Sequence, residues 1–246
     1  MIPFGLTGFE AALVALGMAV AGYVRGYSGF GFAALVMSFA ALVTDPFPFV
    51  PVVILADIFM TAGQARGIWG HIDWRRVGGL FAGCLIGVPL GVAAIQTVGA
   101  DAGRAVLSVF VLAMCAMLLA GWQIARQGDA AHIGVGMTSG LANGMAVGGL
   151  PVAVFFTAQG VQPVVFRATV IAYFTALDLW SLPVLWQAGQ ITRDSFIATG
   201  FGLPFMLAGL WLGGRRFAST SPQDFRRFAI LLLAALSFAG LLKSVM

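Results

Sequence analysis

From Val77 to Val98 no side chain carries a charge, and the same holds from Ala105 to Ile124 and from Ser195 to Gly214. Each run is close to the roughly 20 residues that an α-helix needs to cross a bilayer. Within the bilayer a helix satisfies all of its own backbone N–H and C=O groups, so these runs are read as transmembrane helices. Composition agrees: 60% of residues are hydrophobic, only 9% are charged, and the mean hydropathy is +0.98. A soluble domain carries about a quarter charged residues. The expected fold is therefore an all-α polytopic membrane protein, a single membrane domain over residues 1–246 whose partner is the lipid bilayer. The net charge of +4 and pI of 9.7 do not indicate nucleic-acid binding, because the basic residues sit in short loops between apolar spans. Cys84 and Cys115 lie within apolar runs with no partner at ligand spacing, which argues for packing and against a metal or cofactor site. No Lys or Arg precedes Arg25, so the first apolar run lacks a signal-peptide n-region and is expected to be retained.

Two glycine-rich breaks interrupt the apolar pattern. The first is Arg25-Gly26-Tyr27-Ser28-Gly29-Phe30-Gly31, and the second runs from Asn143-Gly144 through Gly148-Gly149 to Pro151. A slide of 118 residues sets Gly22 on Gly140, Gly26 on Gly144, Gly31 on Gly149 and Arg25 on Asn143, and a slide of 121 sets Asp57 on Asp178. These ordered matches indicate an internal repeat, with repeat one at 1–125 and repeat two at 132–246. Each repeat is read as a broken or re-entrant helix pair followed by three transmembrane helices. The arms of the second break are too short to span singly, whereas Leu6 to Val24 is long enough to cross.

Charge distribution then orients the repeats. The strongly basic loops, Arg66 to Arg76 and Arg215 to Arg227, occupy non-equivalent repeat positions. If basic loops are cytoplasmic, the repeats have inverted topology. Arg66, Arg75, Arg76, Arg126, Arg167, Arg215, Arg216, Arg226 and Arg227 then face the cytoplasm, Arg104, Arg193 and Lys243 face outward, and both termini are external in a multi-pass protein of the bacterial inner membrane.

A permanently charged arginine within the membrane is costly, and it presents a planar fork suited to a carboxylate, sulfonate or phosphate. Arg25 is thus either an anion ligand or the partner of a buried carboxylate, Asp57 or Asp178. Broken helices also expose N-terminal N–H groups with partial positive charge. Two such ends meeting from opposite halves make an anion pocket, with Ser28 capping the arm that starts near Gly29 and Pro151 in the first turn of the arm after Gly149. The candidate substrate-binding residues are Arg25, Gly26, Tyr27, Ser28, Gly29, Phe30, Asn143, Gly144, Gly148 and Gly149. Asp57 and Asp178 are candidates for binding a coupling ion, H+ or Na+, or for neutralising Arg25.

The segments GYSGFGFAALV and GLANGMAVGGLPVAVFF resemble the paired glycine motifs of the sulfite exporter TauE/SafE family of membrane permeases. The family motif has proline near Ser38 and GGP where this chain has Gly149-Leu150-Pro151. The resemblance implies a non-enzymatic secondary transporter of small sulfur-containing anions, sulfite or organosulfonates such as sulfoacetate, with a midplane site and alternating access. A passive anion channel fits the same static site. A third reading, an intramembrane serine protease, rests on Gly26-Tyr27-Ser28-Gly29, which matches the GxSG pattern of rhomboids, with His132 as base. It gives no reason for the second break.

Overall fold

The computed structural model describes residues 3–64, 68–121, 123, 128–216 and 222–245. Arg66 and Arg126 lie outside these residues, as do the side chains of Ser28, Gln64, Arg216, Arg226 and Arg227. Among the described residues every regular element is helical: α1 (Gly8–Ser28), α2 (Phe32–Val43), α3 (Val50–Gln64), α4 (Trp74–Gln96), α5 (Ala100–Ala120), α6 (Asp129–Asn143), α7 (Gly149–Ala158), α8 (Pro163–Gln187), α9 (Arg193–Arg216) and α10 (Pro222–Val245). The long apolar helices α1, α4, α5, α8 and α9 each have the length and composition to cross a membrane, while α2, α3 and α7 are shorter.

Local chemistry sets the boundaries. Thr7 and Glu10 close a capping box at the start of α1, where the Glu10 carboxylate accepts from Thr7 N at 2.8 Å and Thr7 Oγ1 accepts from Glu10 N at 3.3 Å. Asp73 caps α4 by accepting from Arg76 N at 3.2 Å. α1 ends at Gly29 with φ +82°, and α2 begins after Gly31 with φ +87°. Both are left-handed conformations that glycine adopts without a Cβ clash. Ser28 therefore belongs to the last turn of α1. The expected Ser28 cap is corrected: the N-cap position of α2 is Gly31, three residues beyond Ser28.

The broken pairs enter from opposite ends of the molecule. Asp129 at the start of α6 forms an ion pair with Arg75 at 2.8 Å, and Gln159 just beyond α7 accepts from Arg76 Nη1 at 3.0 Å, so both outer ends of this pair sit at the start of α4. The α1–α2 pair opens the other way. Phe4 N, ahead of α1, donates to Asp194 at 2.9 Å, and the C-terminus of α2 receives Arg104 on the Thr44 carbonyl at 3.1 Å and Lys243 on the Leu42 carbonyl at 2.6 Å. Two cations at a helix C-terminus complement its dipole. Gln96, at the far end of α4, lines one surface cavity with Phe4, Asp45 and Arg193. The two ends are thus separated by the length of α4, about 33 Å at 1.5 Å per residue. Arg104, Arg193 and Lys243 gather at one end and Arg75 and Arg76 at the other; Thr169 accepts from Asp73 N at 3.0 Å, which puts Arg167 with the latter group.

The packing has a two-fold pattern in which each helix corresponds to the one five later. α4 on α6 answers α9 on α1, α4 on α8 answers α9 on α3, and α2 on α10 answers α7 on α5, while α3–α8 and α5–α10 map onto themselves. The two most extensive seams are built alike. In α4–α6, Gly83, Gly87 and Gly91 face the backbone of Ile133, Met137 and Leu141, and Gly136 faces Leu80. In α1–α9, Gly22 and Gly26 face Met206 and Leu210, and Gly209 and Gly213 face Ala19 and Tyr23. Small residues let membrane helices approach until backbones touch, and dispersion and weak C–H···O contacts then hold them where no hydrophobic force acts.

A polar contact joins α2 to α10, where the hydroxyls of Ser38 and Ser237 lie 3.0 Å apart in a buried setting. Ser38→Ala is expected to lower stability in detergent by about 0.5–1.5 kcal/mol. Equilibrium unfolding checks this, and substituting both serines by alanine should add little to the single change.

Candidate functional site

The N-terminal turns of α2 and α7 border one small internal cavity, which Gly31, Phe32, Ala33 and Ala34 line from one side and Gly149 and Leu150 from the other. Ten- and twelve-residue arms reach about 15 and 18 Å inward from opposite ends, so their N-termini meet at mid-depth of the molecule. Pro151 sits in the first turn of α7, where its missing N–H leaves no gap in the helix ladder. The first N–H groups of both helices carry partial positive charge toward the cavity.

Side chains from the surrounding helices complete the lining: Arg25 from α1, Asp57 from α3, Asn143 at the end of α6, and Phe174 and Asp178 from α8. Arg25 is 2% exposed. Its Nη1 lies 2.5 Å from Asp57 Oδ1, and its Nη2 donates to Thr61 Oγ1 at 3.0 Å. Among the described residues the guanidinium Nε is buried with no hydrogen-bond partner, and the Asp57 Oδ1 contact is close without hydrogen-bond alignment. Asp178 lines the same cavity as Asp57 and Asn143. Asn143 Nδ2 donates to Ser181 Oγ at 2.8 Å, and Ser181 donates to the Leu177 carbonyl at 2.8 Å. A guanidinium with an unused donor, two closely spaced carboxyls and two helix N-termini form one buried electrostatic unit.

The second break is held by a strut. Tyr173 donates to Ser139 at 2.9 Å, and Ser139 donates to the Gly148 carbonyl at 2.6 Å. Ala146 takes a left-handed backbone with φ +54°, strained for a residue with a Cβ. It lines the cavity with Val147.

Of the residues singled out in the sequence, Arg25, Asn143, Gly149, Asp57 and Asp178 come together at the cavity. Gly148 sits directly behind it, as the residue before α7, with the Asn143 amide oxygen and the Ser139 carbonyl where a Cβ would point. Gly26 and Gly144 point elsewhere, into the seams, facing Leu210 of α9 and Gly91 of α4. Gly29 lies against the stem of Arg167, whose Nη2 donates to the Gly26 carbonyl at 3.3 Å, and Phe30 packs edge-on against Phe166. Tyr27 is buried. His132 packs against Gly79 of α4 and Phe155 of α7, with its Nδ1 3.2 Å from the Gly128 carbonyl. Sequence reasoning passed over Gly31 to Ala34, Ala146 and Leu150. Their contribution is backbone, and the one available signal was their position at the start of an apolar run that follows a break.

A family model described as Sulfite exporter TauE/SafE matches residues 13–239 of the chain. No curated protein and no solved structure matches it.

Proposed function

Since this chain belongs to the sulfite exporter TauE/SafE family, whose members are membrane transporters of sulfur-containing anions, we propose that it is a secondary transporter binding sulfite or a small organosulfonate such as sulfoacetate in the cavity between α2 and α7. One observation carries the reading: a buried arginine with an unpartnered Nε shares a cavity with two helix N-termini that approach from opposite ends. Such donors suit an oxyanion, and the site lies too deep for water to satisfy it in bulk. In this reading Arg25 and the free N–H groups of α2 and α7 hold the sulfo oxygens, with the Asn143 amide at the rim. The cavity is small, with about 30 Å3 open to the centre of a water-sized body, so the compact anionic head is what it reads.

Alternating access follows from two inverted repeats rocking about the shared site. The two-fold packing pattern and the opposed entry of the hairpins support it. The basic end with Arg75 and Arg76 is cytoplasmic under the positive-inside rule, which puts both termini outside.

Counterflow tests the function. Proteoliposomes loaded with unlabelled sulfite should accumulate labelled sulfite transiently from outside, as a carrier does; equilibration without trans-stimulation would indicate a channel, and absence of flux for sulfite and sulfonates alike would refute the proposal. Sidedness has its own check in cells. An impermeant maleimide added outside should label Gln96→Cys and spare Gly70→Cys, both at exposed positions at opposite ends; the reverse pattern would turn the topology over.

A further inference from the structure

We propose that the paired carboxyls of Asp57 and Asp178 take up one proton as an anion displaces Asp57 from Arg25, so that one proton and one monovalent anion cross the membrane together. The inference rests on the transport function above and names its coupling ion.

The charges that face one another come from three helices. Arg25 comes from α1, Asp57 from α3 and Asp178 from α8, and all three line the cavity. α6 contributes neutral Asn143, while α2 and α7 contribute backbone and apolar side chains. Tyr173, next along α8, lies within electrostatic reach of Asp178 and is hydrogen-bonded to Ser139 and Cys84. Arg167 lies within electrostatic reach of Arg25 but is half-buried toward the basic end, against Gly26 and Gly29.

Arg25, Asp57 and Asp178 line one buried cavity in which Arg25 is the one cation among the described residues, and two carboxylates set against a single guanidinium in a buried site do not both ionise. The Asp57–Asp178 pair therefore holds one proton and one negative charge, which offsets Arg25. The empty site is neutral. A monovalent anion arriving at the guanidinium becomes its counterion and takes the place that Asp57 holds. Were Asp57 to stay ionised, the site would hold two negative charges against one positive, deep in a medium where one uncompensated charge costs several kcal/mol. One proton added to the Asp57 carboxylate turns it into a carboxylic acid and restores neutrality. When the anion leaves on the opposite side, Asp57 gives up that proton and pairs with Arg25 again. Loaded and empty forms are both neutral, so both can reorient without carrying charge through the membrane.

The test uses the full chain in sodium-free proteoliposomes containing a pH-sensitive dye, with labelled methanesulfonate added outside. This anion has no titratable group near neutral pH, so any proton that follows it moves through the protein. The interior should acidify as the label enters, by about one proton per anion. At equilibrium the label should accumulate about tenfold per pH unit of acid-outside gradient, as mass action requires of one-to-one linkage, and a membrane potential of either sign should leave that accumulation unchanged. In a variant carrying both Asp57→Asn and Asp178→Asn, residual anion exchange should move no protons and lose its dependence on pH. If that variant does not fold, the wild-type stoichiometry decides alone. Uptake without acidification, or uptake that follows sodium or the membrane potential, would overturn proton coupling and leave transport standing. No flux of methanesulfonate, sulfite or sulfoacetate would overturn both.

Discussion

Arg25→Ala is expected to lower sulfite flux in proteoliposomes by about 30- to 1,000-fold. Removing the charged partner of a buried hydrogen-bonded anion typically costs about 2–4 kcal/mol, and each 1.4 kcal/mol is tenfold. Arg25→Lys separates charge from geometry. Lysine keeps the ion pair with Asp57 but lacks the planar fork that presents Nη1, Nη2 and the unpartnered Nε in one plane. It should fold as wild type and still lose about tenfold or more in flux, with the loss in apparent affinity for the anion. Wild-type flux in Arg25→Ala would remove the guanidinium from the mechanism. An equal loss in both variants together with poor folding would instead make Arg25 a structural ion-pair residue.

Gly136→Ala should prevent α4 and α6 from docking and largely abolish folded protein. A Cβ at Gly136 would collide with the carbonyl oxygen of Leu80, and Gly83 across the seam likewise has no room, against the Ile133 carbonyl. Backbone cannot swing aside as a side chain can, so the helices must separate along their whole contact, forfeiting the dispersion that holds them. The expected penalty is at least the roughly 1–3 kcal/mol of overpacking and more where the seam opens throughout. Gly134→Ala, two residues away on the same helix, meets open space. It should be neutral or slightly stabilising, by up to about 1 kcal/mol through helix propensity. Yield of monodisperse protein and thermal unfolding in detergent read both; similar behaviour of the two variants would refute the backbone-contact account. Gly26, the repeat counterpart of Gly144, should behave like Gly136, since it faces the Leu210 backbone.

That last point shows how sequence and structure divided the work. The motif around Arg25 was legible because a charge and a cluster of glycines are conspicuous in an apolar chain, but it did not say which glycine does what. Gly26 and Gly144, read as ligands, pack helices together, whereas Gly31 and Gly149 stand at the starts of α2 and α7. Ser28, read as a cap, belongs to the turn before the break. Of the alternatives for Arg25, the structure shows the pairing with Asp57 and leaves its Nε without a hydrogen-bond partner among the described residues. The matching positions of Asp57 and Asp178 were visible as a slide of the sequence; that the two line one cavity was not.

By itself the sequence determined that the chain is a helical membrane protein and where its apolar runs break. Those properties follow from uncharged runs long enough to span and from residues that end helices, and such signals are local. Tertiary structure decided which ends meet. The donors of α2 and α7 are backbone N–H groups, identical in every residue but proline, and they become a site only when two hairpins enter from opposite ends and stop at one depth. Likewise Asp57 and Asp178 line one cavity because α3 packs on α8.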